Sequence, residues 1–273
     1  MAKTVKLYCE GADGSHDKYI LEKLIADIPS VKIEAIGSKL GAKSAIQTYE
    51  KLTDRSDYYC FFRDRDFDRP IPDKCLLQLE DKYTYYSYRN TIENYLFSVP
   101  NFYNFIKEQK LDAKYQIANE DAVKDKFIQA AYKIRYYQAI RHTMGEMRIP
   151  TDFGTKLTDQ PSGVLPTQLQ YSYCREQALE KISKAKLLTE DWTETKFDEI
   201  LGKFNKKFDG NFMNNLEFLV HFQGKDFAAS LQTILPDFPM KSYYKFAKKH
   251  FNYTCFPDLI ELHTLLKAEL NRG

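Results

Sequence analysis

The sequence predicts an α/β fold in which a mainly parallel sheet is flanked by helices and carries a large helical elaboration. Strand-like and helix-like segments alternate through the first hundred residues, and apolar residues then recur at helical spacing to about residue 215. Strands that alternate with helices form right-handed crossovers and a parallel sheet. We expect an α/β domain over residues 1–98, a mainly helical insertion or second subdomain over residues 99–215, and a C-terminal segment over residues 216–273 that packs on the first domain.

The first half of the predicted sheet comes from three segments rich in β-branched and apolar residues, which are TVKLYC, VKIEAIG and DYYCFF. Helices are predicted between them, in HDKYILEKLIAD and AKSAIQTYEKL. The first of these helices places on one face the residues Ile20, Leu21, Leu24 and Ile25. The alternating segment KYTYYSYR predicts a fourth strand, and TIENYLFSV begins a helical or mixed stretch.

The rest of the chain is predicted to be mostly helical. Its strongest helical segment is AVKDKFIQAAYKIRYYQAIRHTM, and the segment RIPTDFGTKLTDQPSGVLPTQ predicts a long loop. The segment PDLIELHTLLKAEL predicts a further helix, whose packing face is formed by Leu259, Leu262, Leu265, Leu266 and Leu270. Most of the 20 tyrosines and 19 phenylalanines are expected in the core, although exposed members of YYSYRN would be able to stack on unpaired bases.

Composition limits the possible partners and the cellular compartment. The 40 basic residues nearly balance the 38 acidic ones, so composition alone does not indicate nucleic-acid binding. The five cysteines lie far apart without a C-x-x-C pair, which argues against a disulfide framework or a zinc ribbon and favours a reducing cytoplasm. No apolar run has membrane-spanning length and no apolar signal segment is present, so we expect a soluble protein without a membrane partner.

Three alternating aspartates follow the third predicted strand in YYCFFRDRDFDRP, residues 58–70. A strand reverses its side chains at every residue, so Asp64 and Asp66 project from the same face if the extended conformation continues through them. Glu10 ends the first predicted strand, and ligands of parallel sheets gather at the carboxyl ends of strands. Three carboxylates at one edge suit one or two oxygen-seeking ions, Mg²⁺ or Mn²⁺, better than zinc. The sequence therefore predicts a divalent-metal site.

The segment YCEGADGSHD followed by FFRDRDFD resembles the Toprim domain, whose pattern is a glutamate after the first strand and Asp-x-Asp after the third. The segments YRNTIENYLF and HFQGKDFAASL resemble Toprim nucleases of the overcoming-lysogenization-defect (OLD) group. The Toprim effector of the PARIS phage-defence system belongs to the same broad set. The resemblance covers residues 4–97 and a short patch near residue 225.

The resemblance implies a role for several acidic residues and for one lysine. The metal ligands that it implies are Glu10, Asp17, Asp64, Asp66 and Glu93. The catalytic residues that it implies are Glu10, Asp64, Asp66, Glu93 and Lys225. Asp13 competes with Asp17, because the segment GADGSHD is longer than the usual gap in the family.

The resemblance also implies an activity, that of a metal-dependent endonuclease acting in antiphage defence on RNA, such as tRNA, or on DNA. Two metal ions about 3.5–4 Å apart would activate water and stabilise the leaving oxygen, and Lys225 would neutralise charge in the transition state. Four arginines flank the acidic residues and are candidates for holding backbone phosphates: Arg63, Arg65, Arg69 and Arg89. An ATPase of a defence system and a second copy of the chain are the expected protein partners.

Plainer interpretations remain open. The aspartates do not form an EF-hand loop, because the sixth position from Asp64 is Arg69 and the twelfth is Cys75. A phosphatase that uses D-x-D as nucleophile and acid expects that motif at the first strand and gives Glu10 no role. A non-catalytic interaction module with a vestigial Toprim site is the remaining alternative. Individual residues also have structural interpretations, as a helix-capping or salt-bridged Glu93, a surface Lys225 and a solvated His16.

Overall fold

A computed structural model of the chain describes residues 4–37, 41, 44, 45, 48, 58–70, 72, 74–153, 169–185 and 192–272. The chain divides into two compact units. The sheet unit consists of Met1–Arg65, Ile71–Ile92 and Lys248–Gly273. The helical unit consists of Asp66–Pro70 and Glu93–Ala247.

The strands and α-helices of the described residues are, in chain order, β1 (Val5–Cys9), α1 (His16–Leu24), β2 (Val31–Ala35), β3 (Tyr58–Arg63), β4 (Gln78–Leu79), β5 (Thr84–Tyr86), α2 (Val99–Glu108), α3 (Asp112–Tyr115), α4 (Glu120–Glu146), α5 (Tyr171–Ala185), α6 (Glu194–Lys207), α7 (Asn211–Asn214), α8 (Phe218–His221), α9 (Gly224–Ile234), α10 (Met240–Lys249) and α11 (Pro257–Asn271). Short 3-10 helices cover Ile92–Leu96 and Tyr253–Cys255.

The sheet has five strands in the order β2-β1-β3-β5-β4. The pairs β1–β2, β1–β3 and β3–β5 are parallel, and β4 joins the edge antiparallel to β5. Four of the five residues of β1 and three of the six residues of β3 are buried, as expected for parallel strands covered on both faces. The predicted α/β class with a mainly parallel sheet is confirmed. The two-residue strand β4 was not predicted, because it is too short to show alternation.

The helices of the sheet unit follow from local signals. Helix α1 begins at Ser15, whose Oγ accepts a hydrogen bond of 3.2 Å from the backbone N–H of Lys18. Helix α11 begins with Pro257 and is joined to distant parts of the same unit. The carboxylate of Asp258 accepts the backbone N–H of Tyr88 at 2.9 Å, and that of Glu261 accepts the backbone N–H of Leu77 at 2.9 Å.

The predicted helical faces are mostly buried as expected. In α1 the buried residues are Ile20, Leu21 and Leu24, while Ile25 follows the helix as its C-cap. In α11 they include Leu259, Leu262 and Leu266. The amphipathic spacing of both segments was therefore sufficient to find the helix and most of its core face.

The helical unit is organised around α4, a helix of 27 residues. This helix begins at Asn119, whose Oδ1 accepts the backbone N–H of Ala122 at 2.9 Å. Its Phe127 ring packs edge-to-face on Phe102 and Phe227, with centroid distances of 5.0 and 5.3 Å. The prediction of a mainly helical region is supported by the described residues between 99 and 215, which contain helices and no strand.

Two predictions differ from the structure, and two others lie largely outside the described residues. The predicted domain boundaries differ from the observed units, because residues 216–247 group with the helical unit and only Lys248–Gly273 groups with the sheet. The segment YYSYRN does not offer fully exposed rings, because Tyr85 and Tyr86 are buried and Tyr88 is half-buried. The predicted helix AKSAIQTYEKL and the predicted loop before residue 169 lie largely outside the described residues, although residues 41, 44, 45 and 48 are helical.

Within the described part of the chain, none of the helices combines the length and the apolar character that crossing a membrane requires.

Candidate active site

Two of the predicted acidic residues follow neighbouring strands of the sheet unit. In the β1–β3 pair Cys9 is opposite Phe62, so Glu10 and Asp64 come directly after two strands that run side by side in the same direction. Parallel pairing therefore places both residues at the carboxyl edge of the sheet, where ligands of α/β proteins gather. This part of the sequence prediction rests on register and agrees with the observed topology.

The carboxylate of Glu10 is held by an arginine of the neighbouring strand. The Nε of Arg63 donates a hydrogen bond of 2.7 Å to Oε1 of Glu10, and both side chains are mostly buried. Burial opposes the charge of Arg63, but the hydrogen bond to Glu10 and the nearby acidic groups more than offset that effect and raise its pKa. Arg63 thus places a positive charge where the sequence predicted a metal ion.

A second carboxylate shares the same guanidinium. Oε2 of Glu80 lies 3.5 Å from Nη1 of Arg63. The hydroxyl of Tyr86 links the two, because it accepts from Nη1 of Arg63 at 3.2 Å and donates to Oε2 of Glu80 at 2.5 Å. No sequence pattern indicated a role for Glu80, since this residue stands outside every recognisable motif.

The other three arginines that were predicted to hold backbone phosphates differ in their surroundings. Arg65 is fully buried, and its Nε donates to the backbone oxygen of Tyr88 at 3.2 Å, so the prediction that it holds substrate phosphate is wrong. Arg89 lies over the Phe256 ring at 5.0 Å. Of the four predicted arginines, Arg69 is the exposed one.

The structure distinguishes Asp13 from Asp17, the two candidates for the acidic residue that follows Glu10 in the family pattern. Nζ of Lys18 pairs with Oδ1 of Asp13 at 2.5 Å, and this hydrogen bond lowers the pKa of the exposed Asp13. Asp17 instead lies against the backbone that follows Glu10: a Cβ placed on Gly11 would be 2.8 Å from Oδ2 of Asp17. Asp17 is therefore the acidic residue beside the end of β1.

The aspartates after β3 do not continue the strand. Strand β3 ends at Arg63, and Asp66 has a φ of 48°, in the left-handed region that aspartate tolerates better than most residues. The premise that Asp64 and Asp66 share a face through extended backbone is thus wrong, because the chain turns at Asp66. The turn belongs to the helical unit, where the Phe67 ring meets the His142 ring edge-to-face at 4.8 Å.

The helical unit brings together the two site residues predicted from the late motifs. Nζ of Lys225 lies 3.5 Å from Oε1 of Glu93. Glu93 is buried, and its Oε2 accepts no hydrogen bond from the residues that the structure describes, whereas the Lys225 side chain is 62% exposed. Burial and the charge of Glu93 raise the pKa of Tyr244 well above its usual value. A buried carboxylate oxygen without a donor is suited to receive a cation.

Asp226, next to Lys225, is a buried acidic residue that the sequence analysis did not single out. Burial raises the pKa of its carboxyl, and the charge of Arg141 opposes that shift. Neither Asp226 nor Arg141 carries a sequence signal of its own. Their pairing depends on the packing of α4 against α9, which local patterns do not encode.

The predicted site residues therefore fall into two groups. Glu10, Asp17 and Asp64 belong to the sheet unit, and Asp66, Glu93 and Lys225 belong to the helical unit. Their carboxylate oxygens are the donors that Mg²⁺ and Mn²⁺ prefer, so the donor set fits such an ion in kind. Among the described residues, however, no three His, Cys, Asp or Glu side chains are grouped closely enough to hold a metal ion. The metal site remains a prediction.

A scan against models of known protein families found no match for this sequence, and a search of curated proteins found none either.

Proposed function

We propose that the protein is a metal-dependent nuclease that hydrolyses phosphodiester bonds in RNA or DNA. The observation that supports this function most strongly is the placement of Glu10 and Asp64 after the neighbouring parallel strands β1 and β3. The Toprim-like spacing of Glu10 and the Asp64–Asp66 pair adds to it. Because a single residue separates Asp64 from Asp66, their Cα atoms are at most roughly 7 Å apart.

Each group has a chemical task in this proposal. A bound divalent cation would supply an activated water and a Lewis acid for the leaving oxygen. Glu10, Asp64 and Asp66 would hold that cation through oxygen ligands. Glu10 would share its carboxylate between that cation and Arg63, which bonds to its Oε1. The exposed ammonium of Lys225 would stabilise charge that develops on the phosphoryl group.

The test is an end-mapped digestion of total RNA and of plasmid DNA in Mg²⁺ or Mn²⁺, compared with the same reactions in EDTA. We expect cleavage that requires the metal and is lost in Glu10→Gln and Asp64→Asn. The matched control is Asp13→Asn, which removes a carboxylate that is paired with Lys18 in the loop after β1. Cleavage that persists in Glu10→Gln would point to a contaminating nuclease and contradict the proposal.

The same digestion separates the substrate classes. Discrete ends in tRNA with intact plasmid would support an RNA-directed effector, as the resemblance to phage-defence Toprim proteins implies. Plasmid nicking would assign DNA instead. Release of phosphate from small phosphoesters without internal cleavage would favour a phosphatase. An antiphage effect that survives in Glu10→Gln would favour a non-catalytic module.

A further inference from the structure

The start of α9 is fixed by two polar residues of α4. Nη1 of Arg141 donates to Oδ2 of Asp226 at 2.5 Å and to Oε1 of Gln223 at 2.7 Å. Nε2 of Gln138 donates to Oδ2 of Asp226 at 2.7 Å, and Oε1 of Gln138 accepts the backbone N–H of Gln223 at 3.0 Å. Gln138 and Arg141 are three residues apart on one helix, so they present a single face to the turn that begins α9.

Lys225 lies within this turn, between Gln223 and Asp226. Its ammonium meets Oε1 of Glu93 at 3.5 Å while most of its side chain is exposed. The Glu93 carboxylate is buried, but the lysine side chain that reaches it is long and flexible, so a contact of 3.5 Å does not by itself fix the course of that side chain. The location of the ammonium therefore depends on where the backbone of residues 223–226 is held, and Arg141 and Gln138 hold it.

Arg141 is itself immobilised on its other sides. Its guanidinium carbon lies 4.1 Å from the centroid of the Phe67 ring and 5.4 Å from that of Tyr137. Its Nε donates to the backbone oxygen of Thr151 at 3.2 Å. With contacts on all these sides and only 9% of its surface exposed, Arg141 has little freedom to reach a substrate.

We propose that Arg141 is a positioning residue that acts through Asp226 to hold the Lys225 ammonium at Glu93, and that Lys225 depends on this placement for its role in the proposed hydrolysis. The inference rests on the proposed function, but the placement of Lys225 can be measured without any activity. The competing interpretation is a buried ion pair that only stabilises the helical unit.

The first experiment measures the accessibility of the Lys225 amine in the metal-free protein. Brief reductive methylation followed by mass spectrometry gives the labelling rate of each lysine. In Asp226→Asn we expect Lys225 to be labelled faster by roughly two- to fivefold, because its exposed side chain is then no longer held near Glu93. Lys203, which is similarly exposed and paired with Glu199 at 2.9 Å, is the internal reference and should not change. An unchanged Lys225 rate would overturn the proposal.

The second experiment separates positioning from stability by removing the whole buried pair. Replacing a buried ion pair with apolar residues of similar volume often preserves stability, whereas removing one partner does not. We therefore compare Asp226→Asn with the double variant Arg141→Met/Asp226→Leu. We expect the double variant to regain its melting temperature while kcat on the cleaved nucleic acid stays lower by about 10²-fold, as for a misplaced catalytic group. A double variant that recovers both would show a purely structural role and overturn the inference.

Dependence on Lys225 is tested in the same assay. Asp226→Asn should lower kcat strongly in the wild-type background and only slightly in Lys225→Ala, because the group that it positions is then missing. The matched control is Arg175→Gln, which breaks an exposed ion pair with Asp198 in the same unit and should leave kcat unchanged. Equal losses in both backgrounds would contradict the proposal. If the wild-type protein cleaves nothing, the proposed function fails, and the labelling experiment still decides where Lys225 is held.

Discussion

Nε of Arg63 lies 2.7 Å from Oε1 of Glu10, so an arginine of β3 neutralises the carboxylate that follows β1. The guanidinium also faces Glu80, at 3.5 Å from its Oε2. One cation of the chain is thus shared between two carboxylates at the end of the sheet. A divalent ion that binds Glu10 must compete with this cation, and that competition can be measured.

Arg63→Gln should increase affinity for a divalent cation, because it removes the competitor for Glu10. A hydrogen bond to a charged group contributes about 1.5 kcal/mol, which corresponds to about tenfold tighter binding. Binding of Mn²⁺ to the metal-free protein, followed by electron paramagnetic resonance or calorimetry, is the measurement. In a Glu10→Gln background the same substitution should have no effect. Weaker Mn²⁺ binding by Arg63→Gln alone would show that Arg63 supports the site instead of competing for it.

Glu80→Gln should have the opposite effect and weaken Mn²⁺ binding. Without the second carboxylate, Arg63 interacts more strongly with Glu10, so the ion has a stronger competitor. Asp13→Asn, in which the lost carboxylate pairs with Lys18, is the control for the change in net charge. Tighter Mn²⁺ binding in Arg63→Gln together with weaker binding in Glu80→Gln would support the sharing of Arg63 between the two carboxylates. Tighter Mn²⁺ binding in Glu80→Gln would rule it out.

Lys225→Ala should lower kcat by on the order of 10²-fold with little change in KM, because a cation that stabilises developing charge acts in the transition state. Lys225→Arg should restore little activity, since a planar guanidinium places its charge differently from an ammonium. Lys133→Ala removes another lysine of the helical unit, one that bonds to Thr233, and serves as the control. Turnover at the wild-type level in Lys225→Ala would leave Lys225 a surface residue.

Gly145→Ala should destabilise the protein, because a Cβ at this position would lie 2.1 Å from the backbone oxygen of Phe67. We expect a loss of about 1–3 kcal/mol in the free energy of unfolding, the range for a forced shift in a packed interior. Gly202→Ala is the control. It also lies in a helix, where an added Cβ meets nothing within 4 Å, so alanine should stabilise the protein by about 0.5–1 kcal/mol. Urea unfolding measures both, and equal stabilisation by the two alanines would contradict the close approach.

Acid should weaken the contacts of Asp27 with Lys267 and His263 in the sheet unit. Hydrogen bonds from Lys267 and His263 lower the pKa of Asp27 to about 2. A carboxyl with a lowered pKa adds stability that is complete above its ordinary pKa near 4 and is lost as the pH falls toward 2. The difference in unfolding free energy between wild type and Asp27→Asn should therefore have its full size above about pH 5, decrease as the pH falls from about 4 to 2, and vanish only below pH 2. Lys267→Met should reproduce this dependence, and a difference that does not vary with pH would exclude it.

The sequence was sufficient where a local pattern decides the structure. Apolar runs predicted β1 and β3, and their parallel pairing then placed Glu10 and Asp64 at one edge. Local sequence patterns gave wrong predictions where contacts between residues far apart in the sequence determine the structure. Asp66 turns into a left-handed conformation, although alternation suggested a continuing strand, and Phe67 beyond it packs on α4. Arg65 is buried against local expectation.

The domain boundaries differed for the same reason. Residues 216–247 group with the helical unit because α9 packs on α4, and nothing in the segment HFQGKDFAASL shows that partner, whereas α11 groups with the sheet unit as expected. The assignment of α11 to the sheet unit depends on contacts such as that of Asp258 with Tyr88, which are far apart in sequence. Glu80, Arg141 and Asp226 were missed because each acquires its importance only from a partner that folding brings to it.

The division of the sheet unit into stretches on both sides of Glu93–Ala247 has a consequence for the order of folding. Helix α11 meets the strands only across a long loop of intervening chain, and such contacts form late because closing the loop costs entropy. The helical unit draws nearly all of its residues from one stretch and can organise sooner. During translation, α4 and α9 would then pair first. The packing of the sheet edge that carries Glu10 and Asp64 would be completed only after α11 has been synthesised.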